Sequence, residues 1–288
     1  MSAPRWGYSS ASVRGAQHER KGLPNQDHLT LRSAHEGQQV LIAAADGHGS
    51  PHSCRSEIGA MLATHVAIDL LAETLHRIGP EGSTAIKRTF EALLPVRIAQ
   101  AWASAVRREL HQHPLTEEEL VRVQEQEGPR GLKRLERNPL SAYGSTLLCA
   151  AVTESFIAYL QIGDGDILEI RGDEVRSPLP GDDRHIGNET SSLCEPRAWT
   201  SFRHGFQHLA GNPPEGIFLA TDGYSNSFAD DRDCYATTSA LLRSLHAEGA
   251  ARFQELLPGW LATASRPGSG DDITLALLFR QAPLETTP

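Results

Sequence analysis

The order of apolar patterns along this chain excludes most architectures. Short β-type runs at residues 6–14, 29–32 and 40–45 come first, and two long helical segments follow. Further β-type runs lie at 145–152, 155–162, 167–170, 199–206 and 216–220. Two more helical segments, 235–246 and 250–264, precede a closing run at 273–279. A doubly wound parallel sheet needs strand and helix to alternate, and here they are grouped instead. The grouping predicts an α+β fold of antiparallel sheets with helices on the outside.

Within that frame, residues 53–78 place Ile58, Met61, Leu62, Val66, Ile68, Leu71 and Leu75 at near-helical spacing, with Gly79-Pro80 to end the helix. Residues 85–110 read as a second long helix, kinked at Pro95. From 111 to 140 the pattern changes. Thr116-Glu117-Glu118-Glu119 carries an N-cap signature for a short polar helix, and Gly128-Pro129 and Gly131 interrupt it, so this stretch reads as an exposed insertion. Arg171-Gly172-Asp173-Glu174 is a hairpin turn by composition, and 177–196, rich in Pro, Gly, Asp, Asn and Ser, is a long loop. No repeat or linker divides the chain, which predicts one domain over 1–288.

A net charge of −9 opposes general binding to nucleic acid or to a membrane surface. No uninterrupted apolar run approaches the ~20 residues that span a bilayer. Met1-Ser2-Ala3-Pro4-Arg5-Trp6 lacks the apolar centre of a signal peptide, so a cytoplasmic location is expected. Cys54, Cys149, Cys194 and Cys234 form no Cys-x-x-Cys pair and read as buried free thiols rather than disulfides or a zinc site.

The chemistry lies in four aspartate-bearing stretches, each at the edge of an apolar run: Asn25-Gln26-Asp27, Asp46-Gly47-His48-Gly49, Thr221-Asp222-Gly223 and Asp271-Asp272-Ile273-Thr274. Carboxylates at strand ends, drawn from both halves of the chain, can converge on one point. Their oxygens suit hard cations such as Mg²⁺ or Mn²⁺. The pattern points to a metal-dependent hydrolase. It contains no Cys-x5-Arg element and no Gly-x4-Gly-Lys-[Ser/Thr] loop, the signatures of cysteine phosphatases and nucleotide hydrolases.

With Gly144-Ser145-Thr146 and Ile162-Gly163-Asp164 added, the ordered set resembles the protein phosphatase 2C (PP2C, or PPM) family of serine/threonine phosphatases, in a divergent bacterial branch. The resemblance runs from Gly15 to about Phe279. It implies a four-layer α-β-β-α sandwich, two central antiparallel sheets flanked by helix pairs. It implies two Mn²⁺ or Mg²⁺ ions, with Asp46 bridging them and Gly47 adding its carbonyl, Asp27 on one ion, and Asp222 and Asp271 on the other. Position matching favours Asp271 over Asp272. A weaker third ion would use Asp164 and Asn226, and His48 would protonate the leaving oxygen as general acid. Residues 176–196 occupy the place of the family's flap beside the active site. The implied reaction is hydrolysis of phosphoserine and phosphothreonine in proteins by a metal-activated water, opposing a serine/threonine kinase.

One departure stands out. Where many members carry a phosphate-binding arginine, five residues before the first metal aspartate, this chain has Gly22. His18 and Arg20 are the candidate substitutes, with Arg14 and Lys21 nearby. The missing arginine motivates a rival reading, a phosphoprotein-binding pseudophosphatase that keeps the metal cage without turnover. A two-metal enzyme acting on small phosphoesters is a third.

Overall fold

The computed structural model describes residues 5–78, 83–181, 190–209 and 213–281. The expected helix stop at Gly79-Pro80, the middle of the flap (182–189) and the last seven residues lie outside the described residues. In chain order the strands are β1 (Trp6–Val13), β2 (His28–Ala34), β3 (Gln39–Ala45), β4 (Leu147–Val152), β5 (Phe156–Ile162), β6 (Asp166–Arg171), β7 (Glu174–Arg176), β8 (Arg203–His208), β9 (Gly216–Ala220) and β10 (Ile273–Arg280). The helices are α1 (Ala16–Lys21), α2 (Ser56–Ile78), α3 (Ser83–Arg88), α4 (Leu94–Gln112), α5 (Glu117–Glu127), α6 (Pro129–Arg137), α7 (Asp222–Ser225), α8 (Asp231–Glu248) and α9 (Ala250–Ser265).

Two five-stranded sheets result, ordered β1-β10-β9-β6-β7 and β2-β3-β4-β5-β8, and every pairing is antiparallel. The period-2 alternation of a strand sends neighbouring side chains to opposite faces. In β3, Val40, Ile42 and Ala44 enter the space between the sheets, while Leu41, Ala43 and Ala45 face α2 and α4. In β10, Ala276 and Leu278 point between the sheets, and Ile273, Leu275, Leu277 and Phe279 face α8 and α9. Three apolar layers between four structural layers require strands apolar on both faces. That is why β3, β4, β9 and β10 are near-continuous runs of Ala, Leu, Ile and Phe. The α-β-β-α sandwich is the observed architecture.

Helix α2 presents Ala60, Ala63, Ala67 and Leu71 at helical spacing to the core, and Trp102 of α4 donates its indole N–H to the Gly59 carbonyl at 3.0 Å. Among the described residues α2 alone is long and apolar enough to cross a membrane, and half of its most apolar window is buried against the protein. The absence of long uninterrupted apolar runs did not reveal this, because Ser, Thr, His and Asp dilute the sequence without interrupting the helix's apolar face.

Two expectations are corrected. The helix expected over 85–110 is interrupted: α3 passes through a π-helical segment, Thr89–Leu93, into α4, whose first turn holds Pro95. Proline there lacks only an N–H that a first turn leaves unbonded, so it opens a helix instead of kinking one. The strand expected from 199 starts at Arg203, because Ala198–Ser201 forms a 3₁₀ turn with Ala198 buried. The stretch over 111–140 is largely exposed, as expected, but it is anchored at a few points. Thr116 and Glu119 form a reciprocal capping box on α5. Arg55, at the start of α2, pairs with Glu119 through Nε (2.7 Å) and Nη2 (2.8 Å) and donates to the Tyr143 hydroxyl at 2.8 Å. Val123 and Leu135 join the core beneath, and His52 is buried against Glu127 at 2.8 Å.

The Arg55 guanidinium, through its hydrogen bonds first of all, pulls the Glu119 carboxyl down from 4.5 to about 2. A depressed carboxylate stabilises the fold at pH values above its ordinary range and loses that contribution as pH falls through the folded value. We therefore expect Glu119→Gln to lower stability by about 2 kcal/mol at pH 7, by leaving a buried guanidinium under-paired. The variant's disadvantage should shrink between about pH 4.5 and 2 in denaturant titrations. A constant difference across that window would show that the pair is electrostatically silent.

Candidate metal centre

The antiparallel register gathers the aspartates. In the β2–β3 pair His28 faces Ala45, so Asp27, just before β2, and Asp46, just after β3, emerge side by side. In the other sheet Ala220 faces Leu275, so Asp222, after β9, and Asp271, before β10, emerge at one end. The β9–β6 pairing brings in Asp166 opposite Ala220, and with it Asp164 in the β5–β6 turn. The two sheets are joined there: Thr221 donates from Oγ1 to Asp27 Oδ2 at 2.7 Å and accepts from the Thr274 amide at 2.9 Å.

Both Asp-Gly motifs need their glycine for close approach. A Cβ on Gly47 would lie 2.7 Å from the backbone oxygens of Gln26 and Ser56, and one on Gly223 would lie 2.0 Å from the Asp272 carbonyl oxygen. Only glycine lets these backbones pass so near one another.

The carboxylates act on one another. Burial, opposed by the Thr221 hydrogen bond and aided by Asp272 and Asp271, pushes Asp27 up to about 8. Asp46 is raised well above the ordinary carboxylate range, first by burial and then by Asp27, Asp222 and Asp271. Asp222 rises to about 6 through burial and then the charge of Asp164. Among the described residues no N–H or O–H donor reaches the Asp46 carboxylate; its neighbour at that range is the Asp222 carboxyl. Gln26 Oε1 beside this loop is also buried without a hydrogen-bond partner. A half-buried carboxylate without such donors, and influenced by three other carboxylates, is stabilised by cations. An all-oxygen donor set of this kind fits Mg²⁺ or Mn²⁺.

Asp271 and Asp272 differ sharply. The Asp271 side chain is 49% exposed. Asp272 is 2% exposed and already accepts from the Gly15 amide (2.6 Å), the Gln26 amide (2.6 Å) and His18 Nδ1 (2.8 Å). The hydrogen bond to Asp272 raises the His18 pKa. His18, a candidate for binding phosphate, is thus buried on α1 with one ring nitrogen committed to Asp272 and the other 3.5 Å from Asp271 Oδ1. Arg20 is exposed on the same helix, with no ion pair or hydrogen bond among the described residues. Gly22 caps α1 with a left-handed φ of 69°.

His48 is half-buried, donates its amide N–H to the Gly144 carbonyl at 3.0 Å, and has its pKa lowered by burial. Its ring packs on Gly144, where a Cβ would sit 2.6 Å from His48 Cδ2, so Gly144-Ser145-Thr146 holds this loop as well as opening β4. Asp164 is exposed and accepts from the Thr190 hydroxyl at the edge of the flap. Asn226 is exposed and donates to Asp222 Oδ2 at 2.9 Å. Sequence reasoning missed Thr221 as the tie between the sheets and Asp272 as a fully hydrogen-bonded carboxylate. The only signal for either was the threonine and the second aspartate inside motifs chosen for their metal-binding neighbours.

No curated protein matches this sequence. Among solved structures, the chain is similar to the catalytic domain of the serine/threonine phosphatase PstP in complex with two manganese ions (16% identity, 97% of this chain and 100% of that one, TM-score 0.57). It is similar also to PppA, a regulatory component of the type VI secretion system in Pseudomonas aeruginosa (17%, 97% and 99%, TM-score 0.57). Stp1, a serine/threonine phosphatase of Staphylococcus aureus, aligns comparably (15%, 98% and 96%, TM-score 0.57). At these identities the likeness speaks to the fold. The family model for protein phosphatase 2C matches residues 14–262, which is most of the chain, and the chain therefore belongs to the protein phosphatase 2C family of metal-dependent serine/threonine phosphatases.

Proposed function

We propose that the chain is a catalytically active phosphatase, releasing phosphate from phosphoserine and phosphothreonine in proteins and so opposing a serine/threonine kinase. The observation that carries this reading is the half-buried Asp46 carboxylate, set among Asp27, Asp222 and Asp271 without a hydrogen-bond donor among the described residues, a charge arrangement that favours divalent cations. The similar PstP domain holds two manganese ions, which supports the same pair here. Asp27, Asp46, Asp222 and Asp271, with the Gly47 carbonyl, would hold them, and Asp164 and Asn226 would serve a weaker third. When bound, such ions lower the pKa of a water between them and offset charge on phosphoryl oxygens.

The chain's own residues supply the remaining functions. His48 sits on the loop immediately after Asp46, where it can donate a proton to a leaving serine or threonine oxygen. Its packing on Gly144 and its amide bond to the Gly144 carbonyl limit the imidazole's range of motion. Arg20, exposed on α1 with no ion pair or hydrogen bond among the described residues, is a basic side chain available to attract the phosphate dianion, as are Arg14 and Lys21 nearby, since His18 is engaged elsewhere.

Phosphate release from a phosphothreonine peptide should require Mn²⁺ or Mg²⁺, and Asp46→Ala and Asp222→Ala should each reduce kcat by at least about a hundredfold, a loss of some 2.7 kcal/mol of transition-state stabilisation. Equal rates in all three proteins would end the catalytic assignment. Gly22 in place of the arginine favours the rival pseudophosphatase, and single-turnover measurement separates the two: a pure binder releases no phosphate in Mn²⁺ even at enzyme excess. Arg20→Ala should raise KM more than it lowers kcat, as expected for a group that binds ground state and transition state alike. Unchanged constants would make Arg20 a bystander.

A further inference from the structure

We propose that Asp272 and His18 are positioning residues that fix the metal ligands in place, binding neither metal nor phosphate themselves. This inference rests on the metal-centre reading above and extends it to two residues outside the ligand set.

The argument starts from what Asp272 joins. Its three donors come from segments that converge on the centre. Gln26 directly precedes Asp27, so the 2.6 Å bond from its amide fixes the backbone that aims the Asp27 carboxylate. Gly15 precedes α1, and His18 lies on it. Asp272 itself follows Asp271, with its amide bonded to Asp271 Oδ1 at 2.9 Å. One buried carboxylate therefore links the start of β2, in one sheet, to the start of β10, in the other. Helix α1 is docked on the same segment a second time. The Gln17 amide donates to the Gly270 carbonyl at 2.8 Å, and the Ala16 amide donates to Ser265 Oγ at 3.2 Å, whose hydroxyl donates to the Asp271 carbonyl at 3.0 Å.

His18 completes the arrangement. Nδ1 is spent on Asp272, which orients the ring so that Nε2 faces Asp271 Oδ1 at 3.5 Å. The ligand atoms of His18, Asp271 and Asp272 lie within 4.8 Å of one another, a spacing a cation could use. Three donors already occupy the Asp272 carboxylate, however, so the trio is assembled by its own hydrogen bonds. Residues that orient metal ligands from behind change metal affinity by about ten- to a hundredfold when removed.

The test is calorimetric titration of Mn²⁺ into the metal-free protein, with His18→Ala, His18→Asn, His18→Gln and Asp272→Asn, each checked for its melting temperature. An asparagine amide can stand in for Nδ1 and a glutamine amide for Nε2. We expect His18→Ala, His18→Gln and Asp272→Asn to weaken Mn²⁺ binding about ten- to a hundredfold, and His18→Asn to come within about threefold of the original affinity. At saturating Mn²⁺, KM for a phosphopeptide should be unchanged in His18→Ala while the Mn²⁺ concentration for half-activation rises. Should Asp272→Asn fail to fold, the three His18 variants decide. The inference is overturned if His18→Ala binds Mn²⁺ like the parent, and above all if it raises KM at saturating metal, the mark of a phosphate ligand. A parent protein that binds no Mn²⁺ would overturn the metal-centre reading and this inference together, whereas a binding parent with unaffected variants removes only the latter.

Discussion

Like charge held out of water is the constraint around which this molecule is arranged. Asp27, Asp46 and Asp222 are each raised by burial, and each feels the others or a neighbouring carboxylate. A cluster of that kind works against folding unless countercharge or hydrogen bonds offset it. The surrounding features do so unequally. Asp27 has the Thr221 hydroxyl, Asp222 has the Asn226 amide, and Asp272 is saturated by two amides and an imidazole. Among the described residues Asp46 has no such donor, which leaves it the member of this group most in need of a countercharge.

The fold explains how such distant residues meet. In an antiparallel pair, the residue before one strand and the residue after its neighbour emerge at the same end. Each central pair, β2–β3 and β9–β10, contributes an aspartate before one strand and one after the other. Packing the sheets face to face then brings the pairs within range of each other, and Thr221 fixes their separation across the interface. The positions of these aspartates are set by ladder register and by three apolar layers rather than by loop conformation. The loops add what a rigid end cannot, the His48 side chain and the flap edge at Thr190.

Much of this was legible in the sequence, for a definite reason. Strands apolar on both faces leave long uninterrupted runs, so their ends are easy to see, and an aspartate at such an end stands out. Antiparallel sheets with outer helices followed from the grouping of those runs, and the four-layer order from the family resemblance. What stayed hidden depends on long-range polar contacts that leave no periodic trace. Glu119 looks like any acid in a polar helix until Arg55 is placed under it, sixty-four residues away in sequence. His18 and Arg20 look equivalent as basic residues in one short stretch, and only the position of Asp272 separates a buried, engaged imidazole from an exposed guanidinium. The interruption at Thr89–Leu93 was hidden because Pro95 suggests a kink of its own, while the strain is relieved one turn earlier by a wide turn.

The absence of an arginine at position 22 has a local structural cause. Helix α1 must end abruptly for the chain to turn toward Asp27, and it does so at Gly22, whose φ of 69° lets the Leu23 amide return to the His18 carbonyl at 2.9 Å. A side chain at that left-handed position costs about 1 kcal/mol. An arginine at 22 would therefore oppose the turn that closes α1, and α1 is what carries His18 to Asp272. The short helix with its buried imidazole and an extended segment bearing a phosphate-binding guanidinium are competing uses of the same residues. This chain has the helix, and with it gives up a bidentate contact to the phosphoryl oxygens. Under the proposed function, substrate affinity would then come from the metal centre, from cations such as Arg20, and from contacts to the protein surrounding the phosphorylated residue.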